Sequence, residues 1–228
     1  MRKEKINNIF QNLSKSITNP KTELKYKNNY TFLISVVLSA QATDKSVNQA
    51  TTELFKKIKN PEEMIKLGER RLKTFIKTIG LYNSKAKNII KLSKILVEQY
   101  NSKIPDEFNL LTSLPGVGNK TASVYQNEIL NIPRIAVDTH VFRVSNRIGL
   151  VKTKNPDDTQ EKLESIIPKK WLKSAHHLLI LHGRYKCRAQ NPFCSECTVL
   201  KLCNYENKNE ADKKNISSKS QWNCNSHF

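Results

Sequence analysis

No stretch of this sequence approaches the roughly 18 consecutive apolar residues that a membrane span needs. Its longest apolar run, Phe32-Leu33-Ile34-Ser35-Val36-Val37-Leu38, is short and carries a serine. The charged start, Met1-Arg2-Lys3-Glu4-Lys5-Ile6-Asn7-Asn8, has no apolar stretch of a secretion signal behind it. A cytoplasmic protein with no membrane partner is therefore expected. Convincing alternation of apolar and polar residues is also missing, which argues against a sheet. Acid is scarce: 20 Asp and Glu stand against 39 Lys and Arg, a formal charge of +19. Such a surface suits a polyanion. Lys outnumbers Arg by 31 to 8, a bias that AT-rich coding produces without any functional cause. That bias does not explain the shortage of acid, so nucleic acid remains the better partner.

What is present is helical patterning in a chain of 228 residues, 38% hydrophobic and 26% charged, enough for one large or two small domains with a core. Phe32, Leu33, Val36, Val37 and Ala40 recur at helical spacing. So do Leu72, Phe75, Ile76 and Ile79, which stop at Gly80, and Ile89, Leu92, Ile95 and Leu96. Leu163, Ile166 and Ile167, then Leu178, Leu179 and Leu181, predict two more helices. Pro61, Pro105, Pro133 and Pro156 sit where helices start or stop. The fold class is all-α. The end of the chain, residues 206–228 with Cys224, is polar and aperiodic and reads as a disordered tail.

One segment has more local detail. Pro105-Asp106 opens a helix through Leu110 and Leu111, Leu114-Pro115-Gly116-Val117-Gly118 breaks it, and a second helix runs from Asn119 to about Ile129. This is a helix-hairpin-helix over about residues 106–130. Gly116 and Gly118 let the backbone turn sharply around Val117 and approach another molecule. The amides that open the second helix can receive a phosphate. An ordinary interhelical turn is the competing reading.

Lys120 lies in the first turn of that second helix. It is either one more phosphate contact or a nucleophile. An amine attacks carbon only when neutral, and an unperturbed lysine is neutral in roughly one molecule in 2,500 at pH 7. The helix N-terminus helps by only about 0.3–1 kcal/mol, so desolvation would have to supply the rest. Asp138, in Val137-Asp138-Thr139-His140-Val141, is either a helix N-cap or a catalytic group that accepts a proton or stabilises positive charge developing on a sugar ring, and capping and catalysis are compatible. His140 and His182 read as structural rather than catalytic.

Cys187, Cys194, Cys197 and Cys203 form a Cys-x6-Cys-x2-Cys-x5-Cys set. Cytosolic thiols stay reduced, so metal is the better explanation than disulfides. Four thiolates suit a [4Fe–4S] cluster or a zinc ion. Zinc sites more often use two tight pairs, and here only one is tight. Arg188, in the loop between Cys187 and Cys194, is placed to touch a backbone phosphate.

Together these residues resemble the endonuclease III family of helix-hairpin-helix DNA glycosylases and AP lyases. The likeness runs from about residue 1 to Tyr205. It is carried by Leu38-Ser39-Ala40-Gln41-Ala42-Thr43-Asp44, Gly80-Leu81-Tyr82-Asn83-Ser84-Lys85-Ala86, the hairpin through Lys120-Thr121-Ala122, the Asp138 run and the cysteine set. The resemblance implies a six-helix barrel domain at residues 22–132 and a second domain joining 1–21 to 133–205. The second would hold the [4Fe–4S] cluster, and a DNA cleft would lie between them with Lys120 and Asp138 on opposite walls. It implies a monomer that acts on double-stranded DNA with damaged bases or abasic sites in base excision repair. Lys120 would attack C1′ of a flipped nucleotide and expel an oxidised pyrimidine. β-elimination through the lysine Schiff base would then cut 3′ to the site. Gln41 would fill the vacated space and Leu81 would wedge into the duplex.

Three departures stand out. Position 119 is Asn where many family members have Arg, and Arg188 is the single basic residue of its loop, so Lys186 and general basicity would carry more of the binding. Tyr125-Gln126-Asn127-Glu128 is unusually polar, which suggests an exposed face. A mismatch adenine glycosylase would lack Lys120, carry a glutamate near Val36-Val37 and need a further domain. A DNA-binding scaffold without chemistry would have no use for an acid such as Asp138 facing phosphate.

Overall fold

The computed structural model describes residues 1–208; of the expected tail at 206–228, residues 209–228 with Cys224 lie outside the described residues. The helices are α1 (Lys3–Ser16), α2 (Asn29–Ser39), α3 (Asp44–Lys57), α4 (Pro61–Ile76), α5 (Tyr82–Tyr100), α6 (Phe108–Ser113), α7 (Asn119–Glu128), α8 (Thr139–Ile148), α9 (Pro156–Ile166) and α10 (Lys169–Tyr185), followed by a 3-10 turn at Leu200–Leu202. Among the described residues no helix is long and apolar enough to cross a membrane. The chain divides into two compact units, residues 23–132 and residues 1–22 with 133 onward.

Local chemistry starts these helices. Asn28 and Thr31 cap α2 reciprocally, each side chain taking the other's backbone amide. Asn60 and Asn155 cap α4 and α9, and Pro61 and Pro156 follow at the first helical positions, where a missing N–H costs nothing. Gly68, at φ 77, breaks the helical path within α4.

In the 23–132 unit, α2 is buried from Tyr30 through Leu38. A helix that is apolar all round has to be interior, and α3, α5 and α7 pack against it while α4 lies along α5. Phe32, Leu33, Leu54, Leu72, Ile89, Leu92 and Leu111 are among the side chains of this core that are wholly out of water. Each such burial is worth about 1.5–3 kcal/mol. The other unit has its own core, in which Ile6, Ile9, Phe10 and Leu13 of α1 meet Leu178 and Leu179 of α10. Trp171 Nε1 donates to Asn7 Oδ1 at 3.0 Å, fixing α1 along α10. Gly183 lets α10 approach α8 closely, because a Cβ there would stand 2.9 Å from the Cβ of His140.

Two expectations are corrected. The first helix of the hairpin begins at Phe108 rather than at Pro105-Asp106. The carbonyl of Asp106 is instead held by Gln126 Nε2 at 2.8 Å. The polar run in α7 is not an exposed face: Tyr125 is 2%, Gln126 3% and Asn127 3% exposed. Gln126 is polar because its amide ties α7 to the segment that enters the hairpin.

Candidate active-site residues and the cysteine loop

The hairpin is built from α6, a five-residue turn and α7. Leu114 N–H donates to Leu111 O at 3.1 Å and Val117 N–H to Leu114 O at 3.0 Å, closing the turn. The side chain of Val117 is buried in the core. The two glycines are there for different reasons. Gly116 sits at φ 82, and a Cβ on it would stand 3.1 Å from Asn88 Cβ and 3.4 Å from Val37 Cγ1. Gly118 has an ordinary extended backbone (φ −91, ψ 177), and a Cβ there would meet nothing within 4 Å. Gly116 is thus required by the fold, whereas Gly118 leaves open space outside it.

Gly118 occupies the N-cap of α7 without a side chain to cap it. The first intrahelical bond runs from Ala122 N–H to Gly118 O at 3.0 Å. The amides of Gly118, Asn119, Lys120 and Thr121 find no acceptor among the described residues. They form a cluster of donors at the positive end of the helix dipole. Lys120 is exposed beside them.

Gln41 and Leu81 come from separate loops of the same unit and are brought together. The Gln41 carbonyl lies 3.8 Å from where a Gly80 Cβ would be. Both residues hold left-handed backbones, φ 54 at Gln41 and φ 60 at Leu81. Leu81 is 60% exposed, far from the core that its side chain would otherwise favour. Beneath them lies Lys85, only 6% exposed. Its Nζ donates to Leu38 O at 2.9 Å and to Ala40 O at 2.5 Å. Burial pushes its pKa down, while the carbonyl end of α2 favours the ammonium. Sequence reasoning assigned Lys85 no role. The signal was its register, four residues before Ile89 on the buried stripe that continues through Leu92 and Leu96.

Asp138 belongs to the other unit and caps α8: its Oδ1 accepts from Val141 N–H at 2.7 Å. The segment leading to it is pinned from two helices. Ile135 N–H donates to Glu164 Oε1 at 2.9 Å, and His176 Nδ1 lies 2.8 Å from Ala136 O. His140, in the first turn of α8, is half-buried with its Nδ1 3.3 Å from Arg143. Burial lowers its pKa, partly opposed by the Asp138 charge.

α8 also holds the cysteine loop. Arg143 donates to Cys187 O at 3.1 Å and to Gly183 O at 2.9 Å. Arg147 donates to Arg188 O at 2.7 Å and Ala189 O at 2.9 Å, reaches Cys187 Sγ at 3.8 Å, and lies 4.6 Å from the centre of the Tyr205 ring. Cys187, Cys194, Cys197 and Cys203 are free thiols that line one cavity with Ile148, His182 and Phe193. Among the described residues, none of these thiols is drawn into a group of three around a single metal position. Burial pushes the Cys197 thiol up to about 11, a backbone N–H at Val199 opposes this, and charge on the other three cysteines adds to it. Four thiolates coexist there only if a cation compensates them. His182 is buried, with Nε2 3.7 Å from Cys197 Sγ. Arg188 is exposed, its guanidinium 4.1 Å from the Phe193 ring centre. Lys186 is engaged by Glu196, so its charge is partly spent within the loop.

Comparison with known proteins decides what this arrangement belongs to. Residues 34–169 match the description "HhH-GPD superfamily base excision DNA repair protein". Over 205 residues the chain is 54% identical to endonuclease III of Rickettsia conorii, covering 90% of this chain and 98% of the relative. Against endonuclease III of Escherichia coli it is 48% identical over 208 residues, 91% and 99% of the two chains. The chain belongs to the endonuclease III family. It is a bifunctional DNA glycosylase and AP lyase of base excision repair, with the all-helical endonuclease III fold. Among solved structures, an endonuclease III trapped as a covalent intermediate with DNA superposes with a TM-score of 0.84 at 40% identity, covering 90% of this chain and 96% of the other. A non-covalent endonuclease III–DNA complex gives a TM-score of 0.85 at the same identity and coverage.

Proposed function

We propose that Lys120 is the nucleophile of this enzyme and Asp138 its proton acceptor, acting on double-stranded DNA that carries an oxidised pyrimidine or an abasic site. The observation that carries this reading is the exposed Lys120 beside the unpaired amides of Gly118–Thr121. Those donors suit a DNA phosphate, and phosphate binding would bring the amine to the sugar while DNA excludes water around it. The lesion class rests on family membership.

The neutral amine of Lys120 attacks C1′, and the base leaves with the electron pair of its glycosidic bond. The nitrogen loses a proton, and its lone pair then opens the C1′–O4′ bond; O4′ leaves with the bonding pair and takes up a proton, which yields a protonated imine with the lysine. Loss of the C2′ proton then expels the 3′ phosphate, cutting the strand 3′ to the site. The free Oδ2 of Asp138 is the atom for the proton, since Oδ1 is committed to Val141 N–H. The Asp138 charge also stabilises the positive sugar as the base departs. Gln41 and Leu81 enter the duplex where the nucleotide leaves the stack, and Arg188 contacts the backbone.

The four cysteines fit a [4Fe–4S] cluster. All four thiols line one cavity, and as thiolates buried there together they would need a cationic centre. Such a cluster supplies cross-linking and charge compensation for the loop, with no step of the reaction passing through it. A cytoplasmic, monomeric enzyme fits this reading.

The deciding experiment is borohydride trapping with a duplex containing one abasic site. Wild type is expected to give a covalent protein–DNA band, and Lys120→Ala to lose it while retaining DNA binding. A band that persists in Lys120→Ala would remove Lys120 from the chemistry. Iron and sulfide analysis of the same preparation tests the cluster, and one equivalent of zinc instead would overturn it.

A further inference from the structure

Lys85 is a charged side chain buried in a protein with 39 Lys and Arg residues, most of which have every reason to face water. Its three contacts define its position. The backbone N–H of Lys85 donates to Leu81 O at 3.0 Å, in the first turn of α5. Its Nζ donates to Leu38 O and Ala40 O, the carbonyls at the end of α2 that have no intrahelical partner. Ala40 immediately precedes Gln41. A single residue therefore joins the two turns that hold Gln41 and Leu81, each in a left-handed backbone that a residue other than glycine adopts uncommonly.

We propose that Lys85 is a positioning residue that locks the Gln41 and Leu81 turns into one rigid edge for opening the DNA duplex. This rests on the reading that Gln41 and Leu81 enter the DNA. The stem of Lys85 lies on the buried stripe of α5, so its head reaches the α2 carbonyls from below and leaves the outer surface to Gln41 and Leu81. A neutral, non-donating side chain of the same length would leave the Leu38 and Ala40 carbonyls without their donor. The Gln41 turn would then move independently of Leu81. Extrusion of a stacked base should suffer most, because it draws on both residues at once. An abasic sugar has no base to unstack and should suffer least.

The test uses the full-length, metal-loaded enzyme with Lys85→Met, which keeps an unbranched apolar stem and removes the donor. Single-turnover excision of thymine glycol from a duplex is compared with strand cleavage at a preformed abasic site. Excision is expected to fall about tenfold or more, with abasic cleavage changed by less than about threefold. Lys85→Arg, which retains a cationic donor, is expected to restore most of the excision. In a Gln41→Ala/Leu81→Ala background, already slow in excision, Lys85→Met should add no further loss. If Lys85→Met fails to fold by circular dichroism, Lys85→Gln, a weaker and shorter donor, carries the same comparison. An equal fall in excision and abasic cleavage, or a full additional loss in the double-variant background, overturns the role of Lys85. If Gln41→Ala/Leu81→Ala itself excises normally, the reading of those two residues falls, and the proposal with it.

Discussion

The Oδ1 atom of Asp138 accepts the Val141 amide at 2.7 Å, so one oxygen of the carboxylate that opens α8 is committed to the helix start, and the other is the one proposed to take the proton. Substitution separates the two. Asparagine caps a helix about as well as aspartate, whereas alanine costs about 1 kcal/mol. Asp138→Asn is expected to melt within a degree or two of wild type yet to excise base about a hundredfold or more slowly. Asp138→Ala should lose both activity and stability. Thermal melts and single-turnover excision on the same samples check this. A fully active Asp138→Asn would reduce the residue to a cap.

The two hairpin glycines should respond oppositely to a methyl group. Gly116→Ala forces a left-handed backbone on alanine and presses its Cβ against Asn88 and Val37, an expected loss of about 2–4 kcal/mol. Gly118→Ala meets open space and normal dihedrals, so stability should stay within about 0.5 kcal/mol. Its methyl would intrude on the amides proposed to receive phosphate, and DNA affinity should fall about fivefold, the equivalent of one hydrogen bond. Urea unfolding and a filter-binding titration would separate the two variants.

Stability should also decline in mild acid. Burial holds His140 below its ordinary pKa, so protonation favours the unfolded chain. The stabilisation tied to neutral His140 is complete above the unfolded value of about 6.5 and is lost as pH falls through the lowered folded value. The surrounding charges are Asp138, which opposes the shift, and Arg143 and Arg184, which reinforce it. Urea midpoints from pH 7.5 down to about 5 should fall more steeply for wild type than for His140→Gln. Parallel profiles would locate the acid sensitivity elsewhere.

Arg147 holds the cysteine loop through two carbonyls and the face of Tyr205. Arg147→Ala should free the backbone at Arg188 and Ala189 at a cost of about 1–3 kcal/mol. The sensitive readout is limited trypsin cleavage after Arg188, expected to accelerate several-fold. Unchanged cleavage would mean that the Arg143 bonds to Cys187 suffice.

Much of this was legible in the chain because it depended on local chemistry. Proline marks the starts of α4 and α9, and the glycine turn and the cysteine spacing mark the hairpin and the metal-binding loop. What was hidden depended on tertiary environment. Gly116 and Gly118 look equivalent in sequence, and only their surroundings assign one to the fold and the other to an outer face. Gln126 and Asn127 look like surface residues, yet both are buried, and Gln126 is the polar link to Asp106. Lys85 was one lysine among many until its place on an apolar stripe gave it a buried position. The α6 start shifted because a side chain claimed the Asp106 carbonyl, an interaction 20 residues away in sequence.

The order in which these units become complete during synthesis follows from one connection. α1 packs on α10, so the unit that begins the chain cannot close until α10 has been made. Residues 23–132, inserted between its two parts, have a core of their own and are finished first. At about 5–20 residues per second, the apolar face of α1 waits on the order of ten to thirty seconds for its partner. Ile6, Ile9, Phe10 and Leu13, which are buried in the finished fold, lack the α10 partner throughout that interval, and α1 is expected to be open to chaperone capture while the ribosome is still at work.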